Sequence, residues 1–343
     1  MDVAEARKLW SPAGTYLNTA TYGLPAQPTW DAVQAALEDW HHGRTSYEHW
    51  NDKTDSARAL FAQLVNVPAE DVVTGPAISA LVGLVAAAVP DGSRVVVPDG
   101  DFASVMFPFM AQADRGIEVR VVPLDRITQE IDERTDLVAA SLVQSSSGEV
   151  LDLDGVIGAA RAHGALVVID AIQGCGWLPL DASAADAVVV HGYKWLCSPR
   201  GTAFMYVRPE LRERLRPNNA GWYAGADPYA SYYGPPMDLA ESARSLDTSP
   251  AWFSWVGTEA SLRTFLDIGV EKIHEHNVGL ANRFRSGLGL EPSDTAIVTT
   301  SADASRFEDA GIQAAVRAGG LRASFHLYNT EDDVDAALAA IAA

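Results

Sequence analysis

The chain has 343 residues, too many for one comfortable core and enough for two subdomains. Apolar residues make up 48% and charged residues 20%, a globular balance; a formal net charge of −20 without any Lys/Arg-rich run argues against nucleic acid as a partner. The two cysteines, Cys175 and Cys197, form no CxxC or Cys/His cluster, so neither a disulfide scaffold nor a zinc site is indicated.

The first residues lack the basic and apolar regions of a signal peptide, and the longest apolar run, Leu81 to Val89, is too short to span a bilayer. A soluble cytoplasmic protein is the expectation. Residues 14–28 read as a short strand and a turn-rich arm, after which Thr29 is placed to cap a helix over 30–40. Residues 41–51 are dense in polar and aromatic groups and hold His41, His42 and His49. Adjacent histidines point apart on a helix and no acidic ligand spacing accompanies them, so a substrate-contacting or interface loop is expected rather than a metal site. A helix over 53–65 carries Ala57, Leu60, Phe61, Leu64 and Val65 on one face. A strand at 71–74 then runs through Gly75 into an apolar helix. A tight turn entering a helix presents unpaired N–H groups at the positive helix end, a seat for phosphate.

Strands follow at 95–98, 119–122, 137–143, 166–170, 188–191 and 203–208, with helices near 104–113 and 154–163. This alternation predicts a mostly parallel sheet covered on both faces. No G-x-G-x-x-G follows a strand and no G-x-x-x-x-G-K-[ST] occurs, so the usual dinucleotide and P-loop signatures are missing. Residues 217–250, rich in Gly, Pro, Tyr, Asn and Ser, read as a long functional loop. Beyond it come helices over 258–269 and 271–287, a strand at 296–300, a helix near 304–317, a strand at 321–325 and a last helix capped by Thr330. This tail has the pattern of a small second domain.

The stretch 166–201 organises the rest. Val167-Val168-Ile169-Asp170 ends an apolar run in an acid, and Val188-Val189-Val190-His191-Gly192-Tyr193-Lys194 ends another in a lysine. Strand ends in open α/β sheets are where ligands bind. Pyridoxal phosphate uses such a pair: an amine to form a Schiff base with its aldehyde, and a carboxylate to keep its ring nitrogen protonated. An acid after a strand is common in any α/β protein, so the flanking residues carry the weight.

Those residues, Val168-Ile169-Asp170-Ala171-Ile172-Gln173, His191-Gly192-Tyr193-Lys194-Trp195-Leu196 and 321–330 with Arg322, resemble the fold-type I pyridoxal phosphate enzymes of the class V aminotransferase group. That group includes cysteine desulfurases, kynureninase, isopenicillin N epimerase-like proteins and the C–S lyase of ergothioneine biosynthesis. The resemblance covers nearly the whole chain. It implies an α/β fold with a mostly parallel seven-stranded sheet in a large domain (26–254), an arm (1–25) packing with the small domain, and a small α+β C-terminal domain (255–343). Lys194 would hold the cofactor and move the proton at Cα. Asp170 would pair with the ring nitrogen, and Gln173 and Gln144 would lie near the ring's 3-oxygen. Phe102 would stack on the ring; the backbone of Ala77 and Ile78, with His191 and Tyr193, would hold the phosphate. Thr248 would reach the partner subunit's phosphate, which implies a homodimer. Arg322, with Asn18, would bind the carboxylate of an α-amino acid substrate.

The sequence departs from the cysteine desulfurases of that group, which carry a nucleophilic cysteine shortly before the carboxylate arginine. No cysteine follows Cys197 here, and Arg317-Ala318-Gly319-Gly320 runs directly into Leu321. Persulfide formation by that route is therefore not expected. The leading expectation is β-elimination, a C–S lyase acting on a cysteine-like or cysteine-conjugate substrate. A class V aminotransferase or epimerase is the alternative, and a non-catalytic binding protein with the same fold is a second one.

Overall fold

A computed structural model describes residues 1–45 and 47–343. Seven strands form the main sheet: β1 (Val72–Gly75), β2 (Arg94–Pro98), β3 (Glu118–Val122), β4 (Leu137–Ser141), β5 (Leu166–Asp170), β6 (Ala187–His191) and β7 (Ala203–Val207), in the order β1-β7-β6-β5-β4-β2-β3. Only β7 runs against the others, so every other strand opens its carboxyl end on one edge. The apolar runs have no polar face because both faces are covered. Period two divides them: Val95, Val97, Val168, Val189 and Met205 enter one layer, and Val96, Val138, Ile169, Val188 and Phe204 enter the other.

Helices α1 (Val3–Ala6), α2 (Gln27–His41), α3 (Tyr47–Leu64), α4 (Ile78–Ala88), α5 (Ala103–Met110), α6 (Ile127–Glu130), α7 (Leu153–His163), α8 (Pro209–Arg212) and α9 (Trp252–Ile268) accompany the sheet. Val82, Val85 and Phe109 of α4 and α5 fill the first layer; Phe61, Val156 and Phe265 of α3, α7 and α9 fill the second. Two expectations shift here. Helix α2 begins before Thr29, at an Ala26 cap, because Pro28 in the first turn already has a helical φ. Residues 47–51 are not loop but the first turn and a half of α3, where Trp50 packs on Trp252 and Phe253. Ser46 lies outside the described residues.

The rest of the chain forms α10 (Val270–Gly287), β8 (Ile297–Thr300), α11 (Ser305–Asp309), β9 (Ala315–Arg317), β10 (Gly320–Ser324) and α12 (Glu331–Ala342), with an antiparallel sheet in the order β8-β10-β9. The helix expected over 304–317 is therefore only α11. Gly311 turns the chain at φ 69°, and the residues beyond it pair with β10 instead. Thr330 caps α12 as expected, in a reciprocal box with Asp333. Helix α9 runs across the boundary expected at 254/255. The N-terminal arm lies against the small sheet: Leu17 N–H donates to Gln313 at 2.7 Å, and Ser324 N–H donates to the Leu17 carbonyl at 2.9 Å. No helix among the described residues is long and apolar enough to cross a membrane.

Candidate active site

The open edge of the main sheet collects most of the expected site. Asp170 is the last residue of β5, and Lys194 follows the end of β6 by three residues. Ala77 and Ile78 follow β1, Phe102 follows β2 and Gln144 follows β4. The turn carrying Lys194 is clamped from outside by the arm. Gly23 N–H donates to the Tyr193 carbonyl at 2.9 Å, and a side chain at Gly23 would meet the Lys194 carbonyl oxygen at 2.0 Å. Only glycine permits this approach.

Lys194 is 5% exposed and Asp170 1%. Burial pushes the Lys194 ammonium below its ordinary value; Asp170 opposes this, while Arg322, Arg317 and Arg200 reinforce it. Burial pushes the Asp170 carboxyl up, and the neighbouring Asp101 adds to the rise. Oδ1 of Asp170 accepts from Ile172 N–H at 2.9 Å, whereas Oδ2 is buried without a partner. A buried carboxylate oxygen left unpaired costs about 1–3 kcal/mol, so this atom is built to meet a donor from outside the chain. A protonated ring nitrogen is such a donor.

Phe102 caps α5 with its ring 5.4 Å from Lys194 Nζ, and its exposed face can cover a planar group. Helix α4 has no side-chain cap at Ala77, so its first N–H groups remain open to an anion. His191 is buried beside this cradle, and its Nδ1 has no partner among the described residues. Burial, then Arg200 and Lys194, lower its pKa to about 4. Tyr193 packs edge-on against His191, with ring centres 4.5 Å apart.

Gln173 is more committed than its expected role suggests. Nε2 donates to the Ala20 carbonyl and to Ser145 Oγ, both at 3.0 Å, and Oε1 accepts from Trp195 Nε1 at 2.8 Å. Gln144, next to Ser145, keeps a buried Nε2 with no partner. Thr248 follows Asp247, which is buried, paired with Arg58 at 2.6 Å and accepts from Thr74 N–H at 2.7 Å. The end of the long loop is thereby pinned to β1.

Arg322, on β10, is 1% exposed and has no acid partner among the described residues. Its guanidinium donates to Ser145 and, at 2.7 Å, to Thr21 Oγ1, while Nε is buried and unpaired. Burial and the nearby Arg317 lower its pKa to about 10. A strand-edge salt bridge is thus not what this residue forms. Asn18 bridges to Ser324 and has a buried, unpartnered Oδ1.

Sequence reasoning passed over Asp101, Thr21, Ser145 and Arg200. Asp101 accepts from Ser141 N–H at 2.7 Å and Phe102 N–H at 2.8 Å, and so fixes the backbone that presents the aromatic ring. Arg200 lies over the Tyr193 ring at 4.9 Å. Asp101 directly precedes Phe102 and Arg200 lies within the 166–201 stretch, and that adjacency was the available signal. Thr21 and Ser145 had none. A cleft of about 580 Å³ lined by Tyr16, Leu24, Trp30 and Gln313 holds none of these groups.

The family description aminotransferase class V matches residues 26–307, most of the chain. The chain belongs to the class V aminotransferase family. It is 27% identical to the uncharacterised aminotransferase YcbU of Bacillus subtilis, over 96% of this chain and 94% of that protein. It is also 27% identical to a probable cysteine desulfurase of Methanothermobacter thermautotrophicus, over 68% and 61% of the two chains. In fold it matches the cystine C-S lyase C-DES at a TM-score of 0.88, with 20% identity over 96% of this chain and 97% of that one. As a class V family member the chain is a pyridoxal phosphate enzyme, and its residues fit that group. Lys194 offers the amine, Asp170 Oδ2 the unpaired acceptor, Phe102 the apolar face and α4 the open N–H cradle.

Proposed function

We propose that this class V enzyme is a lyase that removes a β-substituent from an α-amino acid, with a cysteine-like or cysteine-conjugate substrate. The observation that carries the amino acid reading is Arg322, a buried guanidinium without an acid, which also acts electrostatically on Lys194. A guanidinium fork suits a carboxylate, and a buried cation is stable only when paired. Relatives described as probable cysteine desulfurases support sulfur chemistry. Both thiols of this chain are buried and held well above their ordinary pKa, so bond cleavage by elimination is favoured over attack by a protein thiol.

Pyridoxal phosphate, when bound, supplies an aldehyde for the substrate amine and a ring that accepts negative charge from Cα. Arg322 and Asn18 orient the substrate carboxylate. Lys194, whose lowered pKa leaves much of it neutral in mildly alkaline water, takes the proton from Cα. The Cβ–S bond then breaks with its electron pair leaving on sulfur, and hydrolysis of the unsaturated product gives a 2-oxo acid and ammonia. Asp170 would keep the ring nitrogen protonated, Phe102 would cover one ring face, and the Ala77–Ile78 backbone with His191 and Tyr193 would seat the phosphate. We assign the donor to the ring's 3-oxygen to Gln144, whose Nε2 is unpaired, whereas Gln173 Nε2 is already held by Ala20 and Ser145.

We extend the proposal to a homodimer, with Thr248 reaching the partner's phosphate. The exposure of Trp30, Trp40, Phe107 and Tyr233 supports self-association, which sedimentation measures directly. The reaction is tested by products. Release of pyruvate from cysteine conjugates without an amino acceptor is expected; turnover that requires a 2-oxo acid makes the enzyme a transaminase. Lys194→Ala should abolish both turnover and the absorption band of the bound cofactor.

A further inference from the structure

Arg322 is not the only cation on its face of the small sheet. Register places Arg322 opposite Ala315 of β9 and Thr299 of β8. Arg317 lies two residues beyond Ala315, so both guanidiniums rise from the same face, with Gly320 leaving the position opposite Arg317 empty of side chain. They converge on one hydroxyl: Thr21 Oγ1 accepts from Arg322 at 2.7 Å and from Arg317 at 3.3 Å. Arg317 otherwise donates only to the neighbouring Val316 carbonyl, and neither arginine has a carboxylate partner among the described residues. Like charges in adjacent positions on a sheet repel, and this pair sits in a chain with a net charge of −20. Arg322 is buried and Arg317 exposed, so the two form a local positive site, open to solvent on the Arg317 side, to which anions are drawn. One substrate carboxylate satisfies Arg322.

Arg317 faces a cleft of about 400 Å³ whose walls are Ser146, Ser147, Thr299, Thr300 and Ser301. The floor of this cleft is the tight β9–β10 hairpin, with left-handed Ala318 and Gly319. A hydroxyl-lined cleft with one free guanidinium is suited to a small anionic group.

Building on the amino acid reading above, we infer that the substrate carries a second anionic group on its side chain, received by Arg317 and the Ser146–Ser147 and Thr299–Ser301 shelf. The substrate class is an acidic cysteine conjugate or acidic amino acid, rather than cysteine itself. Arg317 is then a specificity residue with no part in breaking bonds.

The test uses pairs of ligands that differ only in charge, titrated into the holoenzyme while the cofactor's absorption is followed. S-carboxymethyl-L-cysteine is compared with S-carbamoylmethyl-L-cysteine, and L-glutamate with L-glutamine; L-cysteate and O-phospho-L-serine separate carboxylate from sulfonate and phosphate. The acidic member of each pair should bind at least tenfold more tightly. Arg317→Ala should erase that difference and Arg317→Lys should restore part of it. Calorimetry with glutarate against butyrate, which lack the amine, should show the same preference and the same loss. Equal affinity for acidic and neutral partners, or a preference that survives in Arg317→Ala, overturns the inference while leaving the lyase reading intact. Absence of any absorption change with every amino acid overturns both.

Discussion

His326 Nε2–H donates to the carbonyl of Trp195 at 3.0 Å, which ties the end of the small sheet to the residue beside Lys194. A carbonyl only accepts, so Nε2 carries the proton and Nδ1 accepts from Asn277 Nδ2 at 3.0 Å. Both nitrogens are satisfied in the neutral tautomer alone. Burial therefore pushes the His326 pKa down to about 3.

This has a consequence for acid stability. In the unfolded chain the histidine binds a proton near its ordinary value of 6.5, whereas in the fold it does not. Its stabilising contribution is complete above about pH 6.5 and falls as pH drops towards 3, by about 1.4 kcal/mol per pH unit. Thermal melts from pH 7 to pH 4.5 should show this decline, and His326→Gln should flatten it. A variant slope equal to that of the wild type would show that the histidine is not the titrating group.

Gly23→Ala should be among the most damaging small substitutions in the chain. The added methyl would lie 2.0 Å from the Lys194 carbonyl oxygen and 2.9 Å from Cys197 Sγ, both within the turn that presents the lysine. Overpacking costs about 1–3 kcal/mol, and here relief comes only by moving the arm or the turn. Lowered melting temperature and loss of cofactor absorption should appear together. A variant with native melting and full cofactor content would mean that the arm is not clamped as described.

Much of this site was open to reading because its parts lie where apolar strands stop. Asp170, Lys194, Phe102 and the Ala77–Ile78 turn each follow a run whose burial on two faces is written in its composition. What could not be read were contacts set by tertiary docking. Thr21 meets Arg322 across 301 positions, and Gly23 meets Lys194 only because the arm returns along the small sheet. The false helix over 304–317 arose because that stretch is rich in helix-forming Ala, Glu, Gln and Arg, whereas the turn at Gly311 and pairing with β10 decided the outcome.

Asp170→Asn should separate stability from chemistry. The wild-type carboxyl is fully buried, its pKa is raised, and Oδ2 is unpaired, so at pH 8 its ionisation destabilises the cofactor-free fold. The amide keeps the Ile172 contact and removes the charge. The apoprotein of this variant should melt higher than wild-type apoprotein at pH 8 and lose that advantage towards pH 4, where the wild-type group is neutral. Turnover should fall about a hundredfold or more, the usual effect of removing a preorganised charge from an active site. Unchanged turnover would remove Asp170 from its assigned role.

The cysteines offer a direct test of the sulfur chemistry. Cys175 is buried and its thiol is pushed up to about 12; Cys197, held at φ 52° behind Gly23, is raised further still by burial alone. Thiolate is the reactive form, so at neutral pH neither residue can take up sulfur from a substrate. Cys175→Ser should retain turnover within about threefold, with a stability loss of about 1 kcal/mol from placing a hydroxyl among apolar neighbours. Iodoacetamide should leave the folded enzyme active, and mass spectrometry after turnover should find no persulfide on either cysteine. An accumulating persulfide, or inactivation matched by alkylation of one thiol, would replace elimination by transfer to protein sulfur.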